Sequence, residues 1–67
     1  MKILNGYPVT LSARTAQNRS VVIVDRGEIS PGRYVVARHR DGDEEWSCGF
    51  YTDSFDKACK DFFKRAM

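Results

Sequence analysis

The most constraining part of this chain is its last third, residues 44–67, where a strand pattern leads directly into a helix pattern. Asp53 or Ser54 is the expected N-cap of the helix, and Lys64 and Arg65 lie where cations favour the negative end of the helix dipole. The apolar residues between them recur at the spacing of one helical face: Phe55, Ala58, Cys59, Phe62, Phe63 and Ala66. The sequence therefore predicts a strand followed by an amphipathic helix that packs on one surface.

A β-hairpin is predicted immediately before the helix. Residues 33–40 have the pattern of a strand, and Asp41-Gly42 favours a two-residue turn, because a type I′ turn needs positive φ at both central positions. This register places one set of residues on the face that we expect the helix to cover: Val35, Ala37, Trp46, Cys48 and Phe50. We expect Trp46 to be the core anchor beneath the helix. A four-residue loop keeps this division of faces, and only a β-bulge would reverse it.

The opposite face of the same hairpin is the candidate binding face. It carries Tyr34, Val36, Arg38 and Arg40, a mixture of aromatic, aliphatic and arginine side chains of the kind that anchors interfaces.

A purely structural role for this face is the alternative. In the predicted register Glu45 lies across from Arg38, and the two would form an ordinary cross-strand ion pair. Pairing of Arg38 and Arg40 with Glu45 and Asp43 would leave little positive potential for DNA, but it suits a mixed-charge protein interface.

The remaining elements follow from shorter patterns. Residues 21–24 are a continuous β-branched run and predict a strand, and residues 30–32 predict a turn. Residues 12–20 are polar without a period and predict a loop, while the alternation over 7–11 predicts at most a short edge strand. The expected fold is α+β, a three-stranded antiparallel β-meander with one C-terminal helix packed on one face, in a single small domain.

Length and composition limit the classes of protein that fit. A domain of 67 residues buries only about 60% of its unfolded surface and has no room for a deep active-site cleft. The hydrophobic fraction of 42% and the charged fraction of 30% are those of globular proteins. No apolar segment approaches about 18 residues, and the N-terminus lacks the apolar core of a signal peptide. We expect a soluble cytoplasmic protein without a membrane partner.

No residue pattern predicts catalysis or a bound metal. His39 is the only histidine, and no serine or cysteine accompanies it in a nucleophile and base arrangement. Cys48 and Cys59 are too few for a zinc ligand set and are expected to be reduced thiols. The acidic run in 41–45 lacks the pattern of a calcium-binding loop, and the glycines form no phosphate-binding motif. We expect a protein that is not an enzyme and needs no cofactor.

Charge is distributed unevenly along the chain. Residues 1–40 have a net charge of +5 and residues 41–67 one of −3, which together give the +2 of the whole chain. Six of the seven cations in the first block are arginine, whose planar guanidinium suits phosphate and carboxylate. The first block would therefore be the electrostatic surface for a polyanion, although the total charge is modest for a nucleic-acid-binding protein.

Part of the chain resembles two groups of proteins. The residues that carry the resemblance are 33–38, 46–51, Phe55, Ala58 and Phe62. They are similar to small uncharacterised proteins of bacterial conjugative elements and phage-like islands, which brings no established activity. More distantly, they resemble the AP2 and integrase-arm type of DNA-binding domain, also three strands and a helix. The second resemblance implies DNA contacts by Arg38 and Arg40.

Two functional hypotheses follow. The first is a small non-enzymatic binding protein of a bacterial mobile element that docks on a protein partner of unknown identity through an exposed sheet face or edge. The alternative is a DNA-binding module that uses the three-stranded sheet. In both, the candidate binding residues are Tyr34, Val36, Arg38 and Arg40.

Overall fold

The computed structural model describes residues 3–67, except for the side chain of Cys48. A five-stranded antiparallel sheet carries one C-terminal helix, and the strands follow one another across the sheet in chain order. The elements are β1 (Ile3–Leu4), β2 (Tyr7–Ala16), β3 (Arg19–Asp25), β4 (Tyr34–Arg40), β5 (Ser47–Thr52) and α1 (Phe55–Ala66). The predicted α+β class is confirmed, and the predicted number of three strands is wrong, because two further strands precede them.

The two additional strands lie at the N-terminus. Asn5 and Gly6, between β1 and β2, both have positive φ (49° and 83°), the combination that a type I′ hairpin turn requires. β2 then continues to Ala16, through much of the segment 12–20 that was predicted to be a loop. The short edge strand expected over 7–11 is the first half of β2. From residue 12 onward most side chains are exposed, and the strand conformation there comes from backbone pairing with the β-branched β3.

The helix has the predicted start and the predicted inward stripe. Ser54 is the N-cap, and its hydroxyl accepts a hydrogen bond from the backbone N–H of Lys57 at 3.3 Å. Ala58 and Phe62 are buried against the sheet, whereas Phe63 on the flank is largely exposed. Only the centre of the apolar stripe is therefore core.

The connection between β4 and β5 is longer than predicted. It covers residues 41–46, and within it Gly42 has a positive φ of 91° whereas Asp41 does not. The backbone N–H of Asp43 donates to the carbonyl oxygen of Arg40 at 3.1 Å and closes a turn. The predicted position of the turn is confirmed, but its predicted type I′ geometry is wrong, because only one central residue has positive φ.

A β-bulge between β4 and β5 decides which side chains share a face. Arg38 faces Ser47, whereas Val36 faces Phe50, so the register shifts by one residue between these two pairs. Such a shift moves a side chain to the other face of the sheet. Phe50 therefore lies on the same face as Val36 and not with Val35 as predicted.

The helix covers the face opposite to the predicted one. Its buried residues form one cluster with the sheet: Val21, Ile23, Val36, Ala58 and Phe62. Val35 and Ala37, which were expected beneath the helix, lie on the other face. The prediction failed because β4 is buried on both faces at 35–37, so its apolar pattern does not show which face the helix takes.

The second face of the sheet has a core of its own. Its buried residues are Leu4, Val22, Val24, Val35 and Ala37. Trp46 packs on this core, with its ring centroid 6.4 Å from that of Tyr7 and its Nε1 donating to Tyr51 Oη at 3.3 Å. The prediction that Trp46 packs beneath the helix is therefore wrong.

The loop 41–46 and the β1–β2 turn are tied together beside this second core. The backbone N–H of Asn5 donates to the carbonyl oxygen of Glu44 at 2.8 Å. Nε2 of the buried His39 lies 2.7 Å from the carbonyl oxygen of Asp43, and since a carbonyl can only accept, Nε2 donates. Both faces of the sheet thus pack against other parts of the chain, and the fully open sheet face expected from the sequence is not found within residues 3–67.

Candidate binding surfaces

Two of the four residues of the predicted binding face lie under the helix. Val36 is 0% exposed and packs in the cluster on the helix side. The half-buried ring of Tyr34 lies 5.1 Å from the ring of Phe55 and 5.0 Å from the guanidinium of Arg33. The prediction that Tyr34 and Val36 are on an open face is wrong, because the helix covers that face. Whether any of the four residues contacts a partner stays a prediction.

Arg38 and Arg40 are exposed, and they lie together with Arg19. Arg19 directly faces Arg40 across β3 and β4, and Arg38 lies two residues along the strand from Arg40 on the same face. Arg65, in the last turn of α1, lines one shallow depression with Arg19 and Arg38. We call Arg19, Arg38 and Arg40 the arginine end.

The arginine end is not neutralised by the acids expected to pair with it. Three ion pairs form among the described residues, and all lie elsewhere: Arg14 with Asp41, Arg33 with Asp25 and Arg65 with Asp61. Asp43 and Glu45 border the surface around Arg38 and Arg40 without pairing with them. The expected cross-strand ion pairs are therefore absent from the described chain, although Asp43 and Glu45 stay close to the arginine end.

A single row of apolar side chains crosses the sheet on its helix side. Its members face one another in turn from β2 to β5: Leu11, Ile23, Val36 and Phe50. Ile23 and Val36 are fully buried, whereas Leu11 and Phe50 are 37% and 39% exposed. The ends of this apolar row are thus matched positions on opposite edges of the sheet.

The two edges of the sheet differ in their protection against pairing. β2 carries Pro8, Arg14 and two bulges in its pairing with β3, and β1 pairs with its first residues. Proline, charge and bulges are devices by which proteins prevent edge-to-edge association. β5 has β4 on one side and no strand of the described sheet on the other, and its sequence, Ser47–Thr52, contains no charge and no proline. β5 does carry the bulge beside Phe50, but neither a charge nor a proline, and we call its outer side the β5 edge.

A row of lysines lies beside the β5 edge. Lys57, Lys60 and Lys64 recur on one side of α1 and line a shallow groove with Phe50. Asp61, on the same side of the helix, is held in an ion pair of 2.7 Å one helical turn away. We call the three lysines the lysine row. The groove between β5 and α1 therefore combines a half-exposed aromatic ring with excess positive charge.

An ion pair fixes the loop that joins the two central strands. Arg33 donates from Nε and Nη2 to the two carboxylate oxygens of Asp25 at 2.8 and 3.0 Å. The hydrogen bond from Arg33 lowers the pKa of Asp25, desolvation opposes this, and the N–H of Gly27 at 2.9 Å adds to the lowering. The same pairing raises the pKa of Arg33. This pair joins β3 to β4 and lies on neither edge.

Neither a cluster of metal-ligating residues nor a membrane-spanning helix is present within residues 3–67. In that part of the chain, no three histidine, cysteine, aspartate or glutamate residues are grouped so that they could hold a metal ion. No helix there has the length and apolar character needed to cross a bilayer. Cys59 is a free, half-buried thiol, and the side chain of Cys48 lies outside the described atoms.

Comparison with known proteins leaves the family of this chain open. No family model, curated protein or solved structure matches it. The resemblances to proteins of conjugative elements and to three-strand DNA-binding domains therefore stay predictions. Function has to be inferred from the geometry of the two surfaces.

Sequence reasoning missed most of both surfaces. It assigned Phe50 to the core, Lys64 to the negative end of the helix dipole and Arg19 to a loop. The sequence did contain a signal for the groove. The uncharged strand Ser47–Thr52 is followed by a helix with lysines at positions 57, 60 and 64, which fall on one side of it. Extending the run 21–24 by two residues toward the N-terminus would have placed Arg19 on the face of Val21.

Proposed function

We propose that this protein is a small, non-enzymatic binding protein that docks on a protein partner by adding an extended segment of that partner to the β5 edge. The observation that carries this proposal is that β5, unlike β2, has no charged residue, no proline and no further strand beside it. Free N–H and C=O groups on an edge strand pair readily with another strand, and several peptide-binding domains use this mode. Origin in a bacterial mobile element rests on the sequence resemblance alone.

A foreign segment suits this edge better than a second copy of the same chain. If two β5 strands paired antiparallel, the sheet would continue and both helices would lie on the same side of it. Neighbouring strands lie about 4.8 Å apart, so the two lysine rows would face each other across the junction. Repulsion between like charges would oppose that dimer and leave the edge open for another partner.

Selection from a displayed library of random peptides tests the proposal. We expect the unmodified protein to enrich peptides that bind in extended form, and Phe50→Lys to lose them, because a charge on the edge blocks strand pairing. Leu11→Lys is the matched control, since Leu11 ends the same apolar row on the protected edge with nearly the same exposure. Far-UV circular dichroism verifies that both variants are folded.

Three outcomes would contradict docking at the β5 edge. The first is the absence of any enriched peptide. The second is a folded Leu11→Lys protein that loses the peptides while Phe50→Lys retains them. The third is sedimentation velocity showing that the unmodified protein is a dimer that Phe50→Lys disrupts, because a second copy would then occupy the edge.

The arginine end favours a second candidate function, nucleic-acid binding. Arg19 and Arg40 face each other directly, and like charges in that arrangement destabilise a sheet. Phosphates would relieve this repulsion, and the planar guanidinium group suits them. The net charge of +2 and the neighbouring acids Asp43 and Glu45 limit the affinity, so this function ranks second.

Fluorescence anisotropy with labelled mixed-sequence duplex and single-stranded DNA tests the second candidate. Three phosphate contacts give a slope of about −2.7 in log K against log salt for duplex DNA. Replacing the arginine end by alanine should abolish this slope, whereas replacing the lysine row, which removes the same charge, should leave it unchanged. If both sets of substitutions weakened DNA binding equally, the binding would be general charge attraction. If no complex with DNA formed at low salt, the arginine end would not be a nucleic-acid site.

A further inference from the structure

The groove beside the β5 edge also determines which partner segment would fit, provided that the proposed docking occurs. We infer that the β5 edge selects an acidic segment with the pattern acid-x-apolar-x-acid. The two acids contact the lysine row, and the apolar residue between them contacts Phe50. The partner is therefore a protein with an exposed, extended acidic stretch.

The apolar position follows from the row that crosses the sheet. A strand added to β5 places one residue directly opposite Phe50, with Cβ atoms about 4.5–5.5 Å apart. Because Phe50 is 39% exposed at the end of this row, an apolar side chain there extends the row by one member and covers the open part of the ring. A charged side chain at the same position would instead lose solvation against the ring.

The acidic positions follow from the spacing of the lysines. On the added strand, the residues two before and two after the apolar one point to the same side, about 13 Å apart. Lys57 and Lys64 are seven residues apart on the helix, which is about 10.5 Å along its axis. The long, flexible lysine stems can cover the difference between these spacings, so each acid meets one end of the lysine row.

The charge of the groove has no other partner within the described chain. None of the three lysines belongs to an ion pair there, and Asp61 between them is already paired with Arg65. β5 itself contributes no charge. The excess positive charge therefore faces the position of the added strand, and acidic side chains on that strand are the complement.

Two synthetic peptides of equal length test the inference. One carries a Glu-Thr-Val-Thr-Glu core and the other a Lys-Thr-Val-Thr-Lys core, and their affinities are measured by calorimetry. We expect the unmodified protein to prefer the glutamate peptide by about tenfold, because two exposed ion pairs are gained in one case and two repulsions in the other. Substituting the lysine row by glutamate should reverse this preference, and Phe50→Lys should abolish the binding of both peptides.

Substituting the lysine row by glutamine keeps the test valid if the charge-reversed protein does not fold. In the glutamine variant the two peptides should bind equally. If the unmodified protein binds both peptides equally at β5, or if library peptides bind there without the acidic pattern, the inference is wrong while docking at the edge stands. If no peptide from either source binds, the proposed function itself is wrong.

Discussion

The β2 and β5 edges end the same apolar row with side chains of nearly equal exposure, Leu11 at 37% and Phe50 at 39%. Around Leu11 the strand carries a proline, an arginine and two bulges, and β1 pairs with its start. Around Phe50 the strand has one bulge but no proline and no charge, and the nearby charges lie on the helix beside the edge. The two edges therefore differ in charged residues, proline and pairing with a further strand, and β5 has none of these three.

This difference matters in a domain with a thin margin of stability. An uncharged edge strand invites association with other copies, and a small domain cannot compensate by burying more surface. The lysine row offers a way to keep the edge open without self-association, since it repels a second copy and attracts an acidic segment. The four predictions below test this comparison.

The largest expected effect is at the centre of the shared apolar row. Ile23 is fully buried, so Ile23→Ala should lower the free energy of unfolding by about 2–5 kcal/mol. That is a large part of the total stability of a domain this size, about 3–10 kcal/mol. In urea denaturation, Leu11→Ala and Phe50→Ala should lower the free energy of unfolding much less than Ile23→Ala does. If the three variants lost equal free energy of unfolding, the apolar row would not have its buried centre under the helix.

The next effect concerns the packing that shapes the β5 edge. A Cβ at Gly49 would lie 3.0 Å from the Tyr51 side chain and 3.1 Å from that of Val35. Because Val35 is fully buried and has no room to move, Gly49→Ala should destabilise the protein by about 1–3 kcal/mol through crowding. Thermal denaturation measures this, with Ser47→Ala on the same strand as a control near neutrality. An unchanged melting temperature for Gly49→Ala would show that β5 has a looser path than described.

A smaller effect is expected on self-association. Replacing the lysine row by glutamine removes the repulsion that opposes pairing of two β5 strands, and it should raise the association constant of the dimer by about tenfold or less. Sedimentation velocity over a range of concentrations measures this constant. Adding Phe50→Lys to the glutamine variant should reverse the gain, whereas adding Leu11→Lys should not. A gain that only Leu11→Lys reverses would assign the association to β2.

The smallest effect is the pH dependence from the Asp25–Arg33 ion pair, which lies on neither edge. The pKa of Asp25 is lowered from 3.8 by the hydrogen bond from Arg33, so its stabilising contribution is present above that value and is lost as the pH falls through the lower folded-state pKa. Asp25→Asn should therefore be less stable than the unmodified protein at neutral pH, with the difference in Tm vanishing in strong acid. A difference that persists unchanged in strong acid would contradict the ion pair as its cause.

The sequence predicted the features that local chemistry determines. The N-cap at Ser54, the inward stripe of α1, the strand at 21–24 and the turn at Gly42 each depend on a few neighbouring residues. The second half of β2 was missed because its mostly polar side chains hide a strand that is made by pairing with β3.

The candidate binding face was predicted only in part. The physical reason differs from the one that hid the second half of β2. The exposure of Arg38 and Arg40 agrees with the sequence, but Tyr34 and Val36 are covered, because residues 35–37 are buried on both faces and a bulge shifts the register beside them. No periodicity in the sequence distinguishes the two faces of such a strand. The predicted meander already makes its last strand an edge, but the position of Phe50 on the helix side depends on the bulge and could not be predicted.

Amide hydrogen exchange, with and without a saturating glutamate peptide, tests docking at the β5 edge most directly. We expect slower exchange of the outward-facing amides within Ser47–Thr52 when the peptide is bound, because they gain hydrogen bonds to the added strand. Residues 10–16 of the protected edge should exchange at unchanged rates. Protection that arises in 10–16 and not in β5, or protection in neither strand while the peptide is bound, would contradict docking at the β5 edge.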